Sequence, residues 1–492
     1  MPENFNGRRW LVLAVVSAAQ FLTVLDLWVA NIALPTLRRD FAPATLADVS
    51  WILDVYAIVV AALLIPAGRV ADSAGRRTCF LAGLVVFGAA SLGCALAPTL
   101  PVLIAGRMAQ AVGAAVLMPT SLGLALSAFP ERERGTAVGV WAAVGAAAAG
   151  AGPVLGGLLV EWNWRWIFLI NVPLVAVTVA AGPSILPRDG ARRSGRRVGA
   201  VGALLVFGAV GLVCTALTEL PAWPPARTEA VLAAGLILAA GFAVHVARSA
   251  NPVVSPQLFT SRAFRAGVAG LVAYYVGFAA LLLGTTLLLT GPWRVPAVAA
   301  AAGIAPGPVA AGLLAPFSGR VAARFGRRGT ILAGAALFAA AALWLLAGVG
   351  PVPAYLSVVL PAMVLWGLAN GLIQPSLFAA ADTAPPAELA SGSALLSMAR
   401  QLGSALGVAI LVAALGTGPS ADPTAFDRAW LVVLAAAVLT AAAALGAERR
   451  QAPVLISRTR RCAPQPSRLR SPGRTLAIDV ADQPNHIKRS RG

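Results

Sequence analysis

Lysine is almost missing from this 492-residue chain: one occurs, Lys488, between Ile487 and Arg489. A Walker-type phosphate loop needs Gly-Lys followed by Ser or Thr, because the lysine reaches the phosphates and the hydroxyl holds magnesium. A nucleotide-hydrolysing motor of that type is therefore excluded. Histidine is nearly as scarce, with only His245 and His486, and the four cysteines are dispersed as Cys79, Cys94, Cys214 and Cys462. That spacing offers neither a disulfide framework nor a histidine-rich metal site, and no cofactor or metal is implied. Charge is thin as well, at 12% of residues.

What remains is apolar. Hydrophobic residues make up 59% of the chain and the mean hydropathy is +0.80, beyond what a water-soluble domain carries. Apolar runs of about 20 residues, enough to cross a hydrocarbon core at about 1.5 Å per residue, recur along most of the chain. Fourteen spans are expected near 10 to 34, 49 to 68, 78 to 97, 101 to 128, 135 to 160, 166 to 186, 198 to 218, 229 to 247, 266 to 290, 297 to 318, 329 to 349, 354 to 381, 390 to 415 and 427 to 446. The fold class is therefore an all-α membrane protein. The first run is too long for a signal-peptide core and lacks a small-residue cleavage site, so it is expected to stay as an anchor.

The net charge of +19 follows topology. With the amino terminus inside, inner segments ahead of the tail hold about three times as many arginines as outer segments, which include Arg38, Arg39, Arg165, Arg227, Arg294 and Arg428. This bias predicts a multi-pass protein of the cell membrane with both termini in the cytoplasm. The inner loop near Asp382 and Glu388 departs from it by being acidic. The tail from Ala447 mixes RTRR, SRLRSPGR and KRSRG with Pro and Ser, and is expected to be disordered, solvated and attracted to anionic lipid. It lacks the aromatic interleaving of a nucleic-acid binder.

The strings GRVADSAGRR at Gly68 to Arg77 and GRVAARFGRR at Gly319 to Arg328 divide the chain into two similar parts. Asp72 of the first copy aligns with Ala323 of the second. A carboxylate there is suited to cap a helix amino terminus in the other part, the one beginning near Ala390, so the repeat is expected to have one working latch.

Asp26 lies well inside the first span, where a charge costs about 2.5 to 3.5 kcal/mol on insertion scales. Gln20, Thr23, Asp26, Ala30 and Asn31 fall within roughly 140° of helical arc, a polar stripe turned from lipid. Asp54 and Arg107 enter the second and fourth spans from the same outer side, and counting inward puts all three charges within reach of one cavity. A carboxylate in such a cavity gains and loses protons as desolvation and a nearby cation compete. The alternative is a structural ion pair.

In the fifth span, GVWAAVGAAAAGAGPVLGGLL, small residues at Ala148, Gly152 and Gly156 form a face for close packing, and Pro153 adds a kink. Packing and a gating bend both account for it. WNWRWIFLINVP, at Trp162 to Pro173, places three tryptophans and Arg165 where amphipathic rings anchor at headgroup depth.

Together these strings resemble the major facilitator superfamily, and within it the fourteen-span drug:proton antiporters. The similarity covers about Trp10 to Leu445. It rests on LDLWVANIALP, with Trp28 where the family usually has threonine, and on the gate motif with Gly68, Asp72, Gly75, Arg76 and Arg77. It rests also on RMAQAVGAAVLMP with Arg107 and Gln110, and on the antiporter motif with Gly139, Gly152, Pro153, Gly156 and Gly157, where Ala148 replaces a glycine. WRWIFLINVP, NPVVSPQLFTSRAF and ARQLGSALGVAIL are further marks.

The resemblance implies a six-helix bundle over 1–186, a basic linker and two extra helices over 187–264, a second six-helix bundle over 265–446, and the tail over 447–492. It implies a monomeric, non-enzymatic antiporter that exports amphipathic organic compounds by alternating access. Asp26, Asp54 and Arg107 are then assigned to proton coupling and Gln20, Asn31, Gln110 and Trp141 to the substrate pocket. A dedicated exporter of one metabolite and an uptake carrier of the same fold stay open. A membrane enzyme or sensor has no nucleophile, base and metal cluster to support it.

Overall fold

The computed structural model describes residues 3–130, 133–188, 200–249, 254–383, 389–416 and 423–446. The described residues contain helices and turns but no strand. A hydrocarbon surround favours this, because a helix satisfies its interior N–H and C=O groups within one segment.

Fourteen helices among the described residues are long and apolar enough to cross a membrane: α1 Gly7–Asp40, α2 Leu46–Ala74, α3 Arg76–Ala95, α4 Leu100–Ala128, α5 Thr136–Trp162, α6 Trp166–Ile185, α7 Ala200–Thr218, α8 Pro225–Arg248, α9 Arg262–Thr290, α10 Ala297–Ala315, α11 Phe317–Gly348, α12 Tyr355–Thr383, α13 Ser391–Leu415 and α14 Asp427–Gly446. All fourteen expected spans appear in order, with different ends. Helix α2 starts before its apolar run because Thr45 and Asp48 form a capping box: Asp48 N–H donates to Thr45 Oγ1 at 3.1 Å, and the Asp48 carboxylate accepts from Thr45 N–H at 2.7 Å. Such a cap satisfies two backbone donors left open at a helix start.

At its other end α2 stops at Gly75, whose φ of 102° turns the chain into α3. The equivalent glycine of the repeat, Gly326, has φ 76° and ψ 156° and is the one non-helical residue between Pro306 and Gly348. The expected ten-residue connection after 318 is thus helical apart from a single-residue turn at Gly326, within α11.

Helix α2 is the most enclosed, with 89% of its most apolar stretch buried, whereas α8 has 6% and rests on α7. Helix α2 touches α4, α7 and α13; α1 packs on α4, α5 and α6; α9 lies against α13 and α14. The first six helices meet the last six most extensively where α2 crosses α13 and α5 crosses α10, and α1 also touches α9. Small residues permit such approaches. A Cβ on Gly403 would lie 2.6 Å from the Val272 carbonyl oxygen, which places the ARQLGSALGVAIL run at the α13–α9 crossing. The expected linker Pro187–Arg197 beyond 188, Glu388 of the acidic loop and the whole tail fall outside the described residues.

Candidate functional site

Helices α1 and α4 bring Asp26 and Arg107 together with both side chains excluded from solvent. Arg107 Nη1 meets Asp26 Oδ2 at 2.5 Å. Gln110, nearly one turn after Arg107, donates from Nε2 to Asp26 Oδ1 at 2.8 Å and accepts from Arg107 Nη1 at 2.6 Å. Helix α2 contributes the Ile52 carbonyl, which accepts from Arg107 Nε at 3.1 Å, and the Tyr56 ring, 4.5 Å below the guanidinium. Helix α3 supplies Ser91 Oγ, 2.8 Å from Gln110 Nε2. Helix α6 supplies Asn171, whose Nδ2 donates to Asp26 Oδ1 at 3.3 Å.

Five helices thus converge on one neutral ion pair. Burying two charges costs several kcal/mol each, and close geometry with extra hydrogen bonds is what offsets it. Arg107 Nη2, Asn171 Oδ1 and Tyr56 Oη are buried with no hydrogen-bond partner, so the network keeps spare polar capacity.

Asp54 does not join this network. It is fully buried, but both carboxylate oxygens lack a hydrogen-bond partner, and the titratable group beside it is Cys214 of α7. The shared cavity expected for the three charges is therefore two separate places, because Asp54 lies two residues before Tyr56, about 200° round the helix.

The expected pocket residues also disperse. Gln110 belongs to the ion-pair network, and Asn31 accepts from Thr286 Oγ1 of α9 at 3.1 Å. Gln20 packs on α5, where its Nε2 lies 2.9 Å from the position of a Cβ on Gly145, and Trp141 sits one turn away with its Nε1 buried and unpartnered. Of the three tryptophans expected at the boundary, Trp162 and Trp166 are exposed, but Trp164 is buried and donates to Asp40 at 2.5 Å.

Ser91, Asn171 and Tyr56 were not anticipated. Asn171 lies within WRWIFLINVP, and its signal was an amide inside an apolar run. Also unforeseen is an aromatic cluster where α1, α9 and α12 meet. Trp28 contacts Phe278 at 6.0 Å and Trp366 at 6.3 Å between centroids, Phe278 contacts Trp366 at 5.4 Å, and Tyr275 contacts Phe278 at 5.1 Å. Toward the α1–α2 turn a cavity of about 700 Å³ is lined by Arg38, Arg39, Arg294 and apolar residues including Ile32 and Leu287.

The glycines of α5 separate by neighbour. A Cβ on Gly152 would meet Trp28, one on Gly156 would lie 3.1 Å from Val29 Cα, and one on Gly157 would lie 2.8 Å from Val298 Cα of α10, while Gly139 faces open space. Pro153 sits inside this helix, which continues unbroken through it.

At the repeated hinge, Arg76 pairs with Asp72 at 3.0 Å and reaches the Gly123 carbonyl oxygen at 3.4 Å, and Arg77 donates to the Pro183 carbonyl at 2.6 Å. Gly68 lies against Pro119. In the second copy Arg327 pairs with Asp382 of α12 at 3.7 Å. Ala323 itself brings no carboxylate to the second copy; the carboxylate there is Asp382. The expected cap by Asp72 on the helix near Ala390 adjoins residues 384–388, outside the described residues.

The model of the Major Facilitator Superfamily matches residues 16–194 and 306–477. The chain is 36% identical over 460 residues to the puromycin resistance protein pur8 of Streptomyces alboniger, covering 88% of this chain and 89% of that one. It is 32% identical over 419 residues to the tetracenomycin C resistance and export protein of Streptomyces glaucescens, covering 83% and 76%. Among solved structures, the POT family transporter PepTSo superposes with a TM-score of 0.64 at 16% identity, over 88% of this chain and 97% of that one, a likeness of fold. With fourteen apolar helices, the duplicated hinge and these matches in agreement, the chain is a member of the Major Facilitator Superfamily, a multi-pass membrane transporter of small molecules.

Proposed function

We propose that this carrier exports amphipathic organic compounds from the cytoplasm in exchange for protons. The buried Asp26–Arg107 pair carries the reading, together with the export and resistance roles in its relatives' names. The α2–α3 end faces the cytoplasm and the α1–α2 end faces outward, as the arginine bias requires. Residues 1–186 and 265–446 act as the two moving bundles, with α7 and α8 inserted between them, and the protein works as a monomer in the cell membrane.

The cycle follows from charge. A proton arriving from outside forms an O–H bond on an Asp26 carboxyl oxygen, and the pair with Arg107 weakens because its negative partner is gone. Gln110 and Asn171 then hold a neutral acid, and α1 is released to move against α4. Opening to the cytoplasm returns the proton and restores the pair. Each proton entering down 100 mV supplies about 2.3 kcal/mol, enough for roughly a fortyfold gradient of a neutral solute.

Substrate binds on the aromatic surface of Trp28, Phe278 and Trp366, which offers large ring faces and few directed polar groups. Such a surface accepts varied planar or cationic compounds. A single-compound exporter is the second reading, and the burial of Trp28 favours it, since an indole in that place narrows the space. The test is a panel of antibiotics and dyes applied to cells overexpressing the chain, with and without a proton uncoupler. Lower accumulation of several amphipathic compounds, lost on uncoupling, supports proton-driven export; unchanged accumulation of all of them contradicts it.

A further inference from the structure

The arginines on the α1–α2 side run against the charge bias of the chain, and their partners divide them. Arg165 stacks on Trp164 and donates to the Ala97 carbonyl at 3.3 Å, Arg227 stacks on Trp223, and Arg428 donates to the Ala414 carbonyl at 3.4 Å. Arg38, Arg39 and Arg294 instead line the cavity of about 700 Å³, a volume typical of small-molecule sites. Arg39 donates to Thr36 of its own helix at 3.2 Å, while Arg38 and Arg294 make no side-chain hydrogen bond or ion pair with any described residue. No carboxylate is among the described lining residues: Asp40 accepts from Trp164, and Asp48 is held in its capping box.

Two distant parts of the chain build this cluster. Arg38 and Arg39 end α1, where the helix dipole favours cations. That does not account for Arg294, which sits in the α9–α10 turn at φ 50°, the one non-glycine with positive φ among the described residues. Such a backbone is uncommon outside glycine and persists where its surroundings fix it. Here Trp293 Nε1 donates to the Gly350 carbonyl at 3.0 Å, and Arg294 N–H donates to that of Gly291 at 3.1 Å. The rest of the wall is largely apolar and includes Ile32, Leu287 and Val295. Trp28 lies one turn further along α1 and is not in the lining, so the cavity is separate from the aromatic surface.

We infer that this cavity is a binding site for a phosphate ester, its oxyanion held by Arg38, Arg39 and Arg294. A guanidinium stays charged at every relevant pH, and its planar fork matches two phosphate oxygens at once. A phosphate monoester carries close to two negative charges on three acceptor oxygens, which suits three cations better than a single carboxylate does. The bound anion balances like charges that the α1 end and the α9–α10 turn bring together. Two sources supply this chemistry: the headgroup of a lipid in the adjoining leaflet, whose chains meet the apolar wall, and a soluble phosphate ester. The assignment to the outer face rests on the orientation in the exporter reading above; the binding itself does not.

Calorimetric titration of the purified full chain in neutral detergent tests this without a transport assay. The probes are dihexanoyl phosphatidic acid, glycerol 3-phosphate and, as a headgroup without net charge, dihexanoyl phosphatidylcholine. Saturable binding of phosphatidic acid is expected, weakened at least about tenfold in Arg38→Gln and in Arg294→Gln, as loss of a hydrogen bond to a charged group does. Arg294→Gly removes the guanidinium while suiting the positive φ, so it keeps the turn and should lose binding to the same extent. Arg227→Gln removes an arginine with its own aromatic partner and should bind as the wild type does. Phosphatidic acid binding more tightly than glycerol 3-phosphate identifies a lipid headgroup, and equal binding a soluble ester; both support the site. No saturable binding of either ester, equal binding of phosphatidylcholine, or affinities unchanged in the Arg38 and Arg294 variants would overturn the inference. Failure of drug export with binding as described counts against the exporter reading alone.

Discussion

Arg107 grips Asp26 at 2.5 Å through Nη1 while its Nε holds the Ile52 carbonyl of the neighbouring helix at 3.1 Å. One side chain therefore ties α1, α2 and α4 together, and loss of its charge partner is felt by all three.

Asp26→Asn leaves the Arg107 cation buried without its counter-charge, and breaking a buried pair in this way costs about 3–5 kcal/mol. Thermal unfolding in detergent should show a large loss for Asp26→Asn and for Arg107→Gln. The double variant should recover part of it, since no lone charge is left. Strictly additive losses would mean that the two side chains do not support one another.

The α5 glycines should divide by what they touch. Gly157→Ala puts a methyl 2.8 Å from a backbone atom of α10 that has no easy retreat. Gly139 has open space, and alanine there gains about 1 kcal/mol of helix propensity. Gly157→Ala is expected to cut transport at least severalfold, and Gly139→Ala to leave it unchanged, in efflux assays matched for membrane expression. Equal losses would favour a bend distributed along the helix over packing at one crossing.

How much of this was legible beforehand depended on the kind of signal. Span count and order follow from hydropathy, since about twenty apolar residues have few other uses, and the hinge glycines Gly75 and Gly326 were marked by the repeat. The pairing of Asp26 with Arg107 rested on depth counting, which fixes height but not azimuth. That is why Asp54, at a compatible height, was assigned to the same cavity although it faces α7. Asn171 and Trp164 were hidden inside a string read as a membrane anchor, because composition does not say which rings and amides turn inward. Asp382 was marked only as part of an acidic inner loop, and nothing in the sequence tied it to Arg327, more than fifty residues earlier.

The two hinge copies should prove similar in strength. Asp72→Asn removes the partner of Arg76, and Asp382→Asn removes the partner of Arg327. Exposed pairs contribute about 0–1 kcal/mol, so neither change should alter melting by more than a few degrees. Transport rates should fall to a comparable degree in both. A severe defect in Asp72→Asn with a normal Asp382→Asn would restore the picture of a single latch.

Stability should depend on pH through Glu219. Its carboxyl binds a proton more tightly in the folded protein than in the unfolded chain, because burial and Asp48 disfavour its charge. Ionisation therefore costs the fold. The cost is absent below the unfolded value of about 4.3 and grows as pH rises toward the higher folded value. Glu219→Gln removes it, so the variant should gain stability over the wild type progressively above about pH 4. Detergent melting curves across that range check this, and a constant difference at every pH would argue against a raised Glu219.

The most direct measurement places the purified protein in liposomes loaded with a fluorescent amphipathic cation and imposes a proton gradient of either sign. The account predicts that flux of the compound reverses when the gradient is reversed, that it drives a counterflow of protons, and that Asp26→Asn abolishes both. Flux that ignores the gradient, or that persists with coupled protons in Asp26→Asn, would contradict it.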